Sequence, residues 1–346
     1  MSPALADLID TGRLAEWMDG LGLDGGPITA LDLLAGGSQN VVVKLRKGGR
    51  DFVLRRPPAS LRPESNETMR REARVLGALA GTAVPHPRLI ASCGDESVLG
   101  AAFYLMEPVD GFSAIRGLPA LHAGSAEIRH HMGLALVDGA AAMGRVDHIA
   151  VGLDGFGKPA NFLERQINRW RSQLEGYARH AGWPGAESLP GERAITDYLE
   201  SNLPKGSRVG LLHGDYSIGN VMYRPDGPEL AAIVDWELAT IGDPLLDLAW
   251  ILATWRSERD GDLGVLRVEP FDGFPTPDEL IERYAAQSDR DLSAIDWYVV
   301  LACYKLAVVI EGTFARACAG LDPMPTGIKL HDTAVKLFQR ALKRIG

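Results

Sequence analysis

Cysteine is scarce in this chain. Cys93, Cys303 and Cys318 are the only three in 346 residues, and they lie far apart. That excludes a disulfide framework and a cysteine-based zinc site. Long apolar runs are missing as well: no stretch reaches the roughly 18 uninterrupted apolar residues of a membrane span. Basic charge is not in excess. Lys and Arg number 36 against 45 Asp and Glu, for a net charge of −9. Nucleic-acid binding wants a basic face, so it is not expected. The opening MSPALADLID has acids and no basic segment ahead of an apolar one, so it does not read as a secretory signal. With no such signal, a reducing cytoplasm is the expected compartment.

What is present suits a globular chain: 46% hydrophobic and 23% charged residues, enough length for one large or two medium domains. Residues 3–20 place Leu5, Leu8, Ile9, Leu14, Trp17 and Met18 at helical spacing. The β-rich runs Val41–Leu45 and Phe52–Leu54 flank the turn KGGR and predict antiparallel hairpins. A helix follows in SNETMRREARVLGALAG, opened by Ser65 and closed by Gly81. The apolar strand AFYLMEPVDG stops at Pro108 and the Asp110–Gly111 turn. Past about residue 110 amphipathic helical patterns dominate, from EIRHHMGLALVDGAAAMGRV and NFLERQINRWRSQLEGYARHA to GIKLHDTAVKLFQRALKRI. Only residues 209–236 read as β again. The expected architecture is α+β, with a small β-rich lobe over 1–106 and a larger, mainly helical lobe over 107–346. Neither an internal repeat nor a low-complexity linker is visible.

The chemistry concentrates in LLHGDYSIGNVMY, residues 211–223. Polar groups set between apolar runs need partners. The form is H-x-D-x-x-x-x-N. Asp215 in a polar loop can take the proton of an attacking hydroxyl, and Asn220 can ligate magnesium from the same loop. His213 can hold the loop's shape. Asp235 ends an apolar strand in AAIVDWELATIGDP, a natural position for a hard-oxygen Mg2+ ligand. Either Asp alone also suits a turn or a cap. Asp243 suits the cap before Pro244, and Asp247 on an apolar helix face needs a partner, such as the 213–215 backbone.

Earlier in the chain, GGSQN offers Gly36, Gly37, Ser38 and Asn40 as a loop that approaches phosphate, or a plain hairpin turn. In FVLRRPP, Arg55 can reach a phosphate while Arg56 points the other way; an exposed arginine pair is the alternative. Glu72 can hold Arg55, or lie on a solvated helix face. His130 and His131 are adjacent on a helix, share no face and read as surface.

In order and spacing, LLHGDYSIGNVMY followed by IVDWELATIGDPLLDLAW resembles the aminoglycoside phosphotransferase family of the protein-kinase-like fold, over nearly the whole chain. The resemblance implies ATP and Mg2+ as cofactors, Asp215 as catalytic base, and Asn220 and Asp235 as magnesium ligands. GGSQN becomes the phosphate loop. Arg55 stands where the family has its phosphate-binding Lys, and Glu72 where the ion-pair Glu sits. MEPVDG becomes the hinge, where backbone groups near Glu107 and Val109 would meet the adenine. FGKPANFLERQINRW and DWYVVLACYKLAVVIEGTFAR are similar to the branch also found fused to acyl-CoA dehydrogenases, which implies a hydroxyacyl-CoA acceptor. Arg165, Arg169 and Arg171 are candidates to meet one, and are equally explained as a solvated helix face. A true aminoglycoside kinase, a pseudokinase scaffold and a metal hydrolase using His213 and Asp215 are the alternatives. The expected partners are a nucleotide and a small hydroxyl acceptor, without nucleic acid or membrane. The sequence leaves the oligomeric state open.

Overall fold

A computed structural model describes residues 5–23, 25–36, 40–257 and 261–346. The chain forms two compact units. One comprises Met1–Gly111, Ile149–Leu153 and Ala231–Ala239; the other comprises Phe112–His148, Asp154–Leu230 and Thr240–Gly346.

The first unit is built on a five-stranded antiparallel sheet. Its strands are β1 (Ile28–Gly36), β2 (Val41–Lys47), β3 (Arg50–Arg56), β4 (Leu89–Cys93) and β5 (Phe103–Met106), in the order β1-β2-β3-β5-β4. β2 alternates, with Val41, Val43 and Leu45 inward. Its hairpin with β3 turns on Gly48 and Gly49, both at positive φ, which glycine adopts without a Cβ clash. One apolar core gathers Val43, Leu45, Phe52, Leu54 and Leu105 with Leu14 and Met18. The helix Ser65–Ala78 buries Met69, Ala73, Val75 and Leu76 and lies along β4 and β5.

The structure departs from the sequence reading in three places here. The N-terminal helix is two, Leu5–Leu8 and Thr11–Gly20. Asp10 separates them, because its carboxylate accepts from the amides of Gly12 and Arg13 at 3.0 Å and so caps the second. β1 and β4 are strands that alternation did not mark. They are the two edges of the sheet, and neither buries every second residue. Arg55 and Arg56 are not an exposed pair: both are buried, Arg56 donating to the carbonyls of Leu8 and Pro57.

The second unit is mainly helical. Its longest helix, Ile295–Cys318, packs against Met324–Ile345 and Leu245–Thr254. It is the one described helix long and apolar enough to cross a membrane, yet two-thirds of its apolar window is buried and Trp297 through Tyr304 are all covered, as in a core helix. Two three-residue strands, Gly210–Leu212 and Thr240–Gly242, pair antiparallel. The second falls outside the 209–236 segment expected to be β, being too short to show a period. Asp243 accepts from the Leu245 amide at 3.0 Å and from the Tyr298 hydroxyl at 2.7 Å.

Leu54 is fully buried in β3, between its pairings to β2 and β5. Leu54→Ala is expected to lower stability by about 2–5 kcal/mol in urea unfolding. An unchanged midpoint would contradict this packing.

Candidate active site

The strand Gly210–Leu212 delivers the chain into the 213–220 loop. Asp247, buried on the helix Leu245–Thr254, accepts from the amides of His213 at 2.7 Å and Gly214 at 3.0 Å. Gly214 sits at φ 85, where a side chain would be strained. Its carbonyl accepts from Lys305 Nζ at 2.6 Å. Both polar groups of one peptide-flanking residue are therefore held by charged side chains. His213 is fully buried, and its Nδ1 accepts from the Asp215 amide at 3.4 Å. Tyr216, also buried, donates to the Leu136 carbonyl at 2.7 Å.

Asp215 is partly exposed, as are Gly214, Gly219 and Asn220, beside the covered His213, Tyr216, Ser217 and Ile218. Asn220 Nδ2 donates to the Asp215 carbonyl at 2.8 Å and to its Oδ2 at 2.9 Å. The loop thus brings His213, Asp215 and Asn220 together. Burial pushes the Asp247 carboxyl up to about 7, against the two amides and Lys305, while the Asp215 charge adds to the rise. Burial lowers the Lys305 ammonium to about 8, against the pull of Asp215 and Asp247.

A second cluster lies in the sheet-bearing unit. Arg55 Nε is 3.0 Å from Glu72 Oε2, and Arg55 Nη2 is 2.6 Å from Asp235 Oδ1. Tyr104 donates to Glu72 Oε2 at 2.8 Å. Asn40 Nδ2 donates to Glu237 Oε2 at 3.0 Å, and that oxygen is 4.0 Å from Arg55. Burial opposes the Arg55 charge, but Glu72, with Tyr104 and Asp235, outweighs it and holds the guanidinium above its ordinary range. Burial lifts the Glu72 carboxyl to about 7 even beside Arg55. Asp235 adopts a left-handed backbone, φ 67 and ψ 59, tolerated by Asp more readily than by bulkier residues. The structure therefore brings Asn40, Arg55, Glu72 and Asp235 into one charged group.

Other candidates stand apart from these clusters. Glu107 pairs through its carboxylate with Arg88 and Arg50, and its amide donates to the Arg88 carbonyl at 2.9 Å. The Arg88 hydrogen bond holds the Glu107 carboxyl below its usual range. Val109 follows on the same segment, partly buried. Gly36 ends β1 opposite Val41. Gly37 and Ser38 lie outside the described residues. Arg171 is taken by Glu200 at 2.5 Å and Arg165 by the Lys158 carbonyl, while Arg169 lies over the Trp170 ring at 4.7 Å. Sequence reasoning missed Lys305 and Tyr104. The signal for Lys305 is one lysine inside the apolar run LACYKLAVV; Tyr104 carries none that separates it from ordinary strand packing.

Each unit by itself carries a hard oxygen donor of the kind magnesium takes. Asn220, whose Nδ2 faces Asp215, keeps an amide oxygen, and Asp235 supplies a carboxylate with one oxygen engaged by Arg55. Among the described residues no group of three His, Cys, Asp or Glu could hold a metal.

The model of the phosphotransferase enzyme family matches residues 31–298. The chain belongs to this family. It is 29% identical over 296 residues to acyl-CoA dehydrogenase family member 10 of mouse, a match covering 82% of this chain and 26% of that one. Against family member 11 of Pongo abelii it is 30% identical over 314 residues, 89% of this chain and 39% of that protein. The chain thus spans well under half the length of these curated relatives. A solved protein of Ralstonia eutropha JMP134, provisionally named an aminoglycoside phosphotransferase, superposes with a TM-score of 0.78 at 29% identity, covering 96% of this chain and 98% of its own. The fold is protein-kinase-like, a small antiparallel sheet unit and a helical unit.

Asp247 gives this family member a pH signature. Its folded pKa is raised, so the folded state binds the proton more tightly than the unfolded chain between about 4 and 7. Relative to Asp247→Asn, the wild type is expected to gain about 1 kcal/mol per pH unit as pH falls from 7 to 5. The check is urea unfolding of both proteins at several pH values. A difference independent of pH would contradict a carboxylate buried at neutral pH.

Proposed function

We propose that this chain is an ATP- and Mg2+-dependent phosphotransferase that moves the γ-phosphate to a hydroxyl of a small molecule. The observation that carries the reading is the Asp215 loop. A partly exposed carboxylate is fixed by Asn220 and surrounded by a backbone that Asp247 and Lys305 hold.

In this reading Asp215 accepts the hydroxyl proton and orients the nucleophile. His213 ties the loop from within. Asn220 and Asp235 would hold Mg2+, which when bound would supply charge neutralisation at the phosphates. Arg55, held by Glu72, orients the phosphates as a fork rather than a point charge. Gly36, Gly37, Ser38 and Asn40 form the phosphate loop. Backbone groups near Glu107 and Val109 meet the purine. The work of the protein is positioning and charge neutralisation.

A hydroxyacyl-CoA is the proposed acceptor class. Its support is the likeness to the acyl-CoA dehydrogenase family members and the Arg169 cation at the Trp170 ring. A nucleotide-binding scaffold without transfer is the second reading. It is favoured by the Arg55–Asp235 ion pair, which engages one oxygen of the proposed magnesium ligand.

Asp215→Asn keeps the shape and removes the base. Steady-state turnover of ATP with hydroxyacyl-CoA, aminoglycoside and amino-alcohol acceptors is expected to fall about 10²–10⁴-fold, with the Kd for ATP nearly unchanged. Retained turnover would remove Asp215 as base. A wild type that binds ATP but transfers to none of these acceptors would favour the scaffold.

A further inference from the structure

Gly214 lies directly before the proposed base. It has no side chain, and its φ of 85 is only one of the many backbone states open to glycine unless its N–H and carbonyl are held. Asp247 holds its N–H, and Lys305 on the helix Ile295–Cys318 holds its carbonyl at 2.6 Å. The ammonium is boxed by aromatic faces, 4.3 Å from the centre of Trp250 and 5.7 Å from that of Trp170. The charges facing it are Asp215 and Asp247, with Arg169 opposing them from the other side of the balance. A cation drawn from water into such a box needs a compensating role, since desolvation alone disfavours it.

We propose that Lys305 is a positioning residue: its ammonium fixes the Gly214 carbonyl and thereby aims the Asp215 carboxylate for proton abstraction. This rests on Asp215 being the base. Arginine at 305 keeps the charge and the donor, whereas methionine keeps the stem and loses both. The lysine titrates near pH 8 and arginine does not, so only the wild type carries an alkaline limb from this position.

Backbone hydrogen exchange by mass spectrometry reads the loop without any chemistry. Peptides covering 211–217 are compared in wild type, Lys305→Met and Lys305→Arg, with rates corrected for intrinsic exchange from pH 7 to 10. The same proteins are assayed for turnover of Mg2+-ATP with water as acceptor. Lys305→Met is expected to raise exchange in 211–217 by about tenfold, leave the helix Met324–Ile345 unchanged, and lower kcat at least tenfold with KM for ATP within twofold. Lys305→Arg recovers most of the protection. The wild type loses protection and kcat through about pH 8, and Lys305→Arg shows no such limb. If Lys305→Met does not fold, the wild-type and arginine profiles decide alone. Unchanged exchange in 211–217, or identical alkaline profiles in wild type and Lys305→Arg, would overturn the proposal. A wild type inactive with water and with every acceptor named above, whose 211–217 exchange still follows Lys305, would overturn the base assignment and with it the aiming role.

Discussion

A carboxylate buried in an apolar helix is the constraint on which the 213–220 loop depends. Asp247 sits among Leu245, Leu248, Ile251 and Leu252, where a charge without partners is unfavourable. It finds them in the amides of His213 and Gly214. Two backbone donors that would otherwise be orphaned at a sharp turn are thereby satisfied. Once those amides are fixed, the Gly214 carbonyl points at Lys305, the Asp215 amide at the His213 ring, and the Asp215 carboxylate at Asn220.

The sheet-bearing unit solves a parallel problem with different chemistry. Glu72 is buried beneath Arg55 and Tyr104, and Arg55 carries Asp235 as well. A guanidinium can do this because its planar fork presents donors in separate directions, Nε to one carboxylate and Nη2 to another. A lysine has one ammonium on a flexible stem and would divide it between the two. Arg55 therefore links the helix carboxylate to the strand-end Asp235 through one planar fork.

Much of this was legible in the sequence, for physical reasons. The spacing of His213, Asp215 and Asn220 lies between apolar runs, and only a turn rich in internal hydrogen bonds can carry it. Asp247 on an apolar face announced that it needed a partner, and the long helices carried their period openly. What stayed hidden depends on contacts distant in sequence. β1 and β4 are sheet edges without alternation, and the break at Asp10 follows from one side chain competing for two amides. Lys305 was missed because nothing local says that a glycine carbonyl 91 residues away awaits it. Arg56 hides for the same reason, its carbonyl partner at Leu8 lying 48 residues upstream.

The central claim is a nucleotide site completed by magnesium at Asp235. Calorimetric titration of ATP into wild type and Asp235→Asn, with and without Mg2+, tests it most directly. The account predicts that Mg2+ tightens ATP binding to the wild type and that Asp235→Asn loses that gain while still binding ATP alone. Equal Mg2+ enhancement in both proteins, or no ATP binding under any condition, would contradict it.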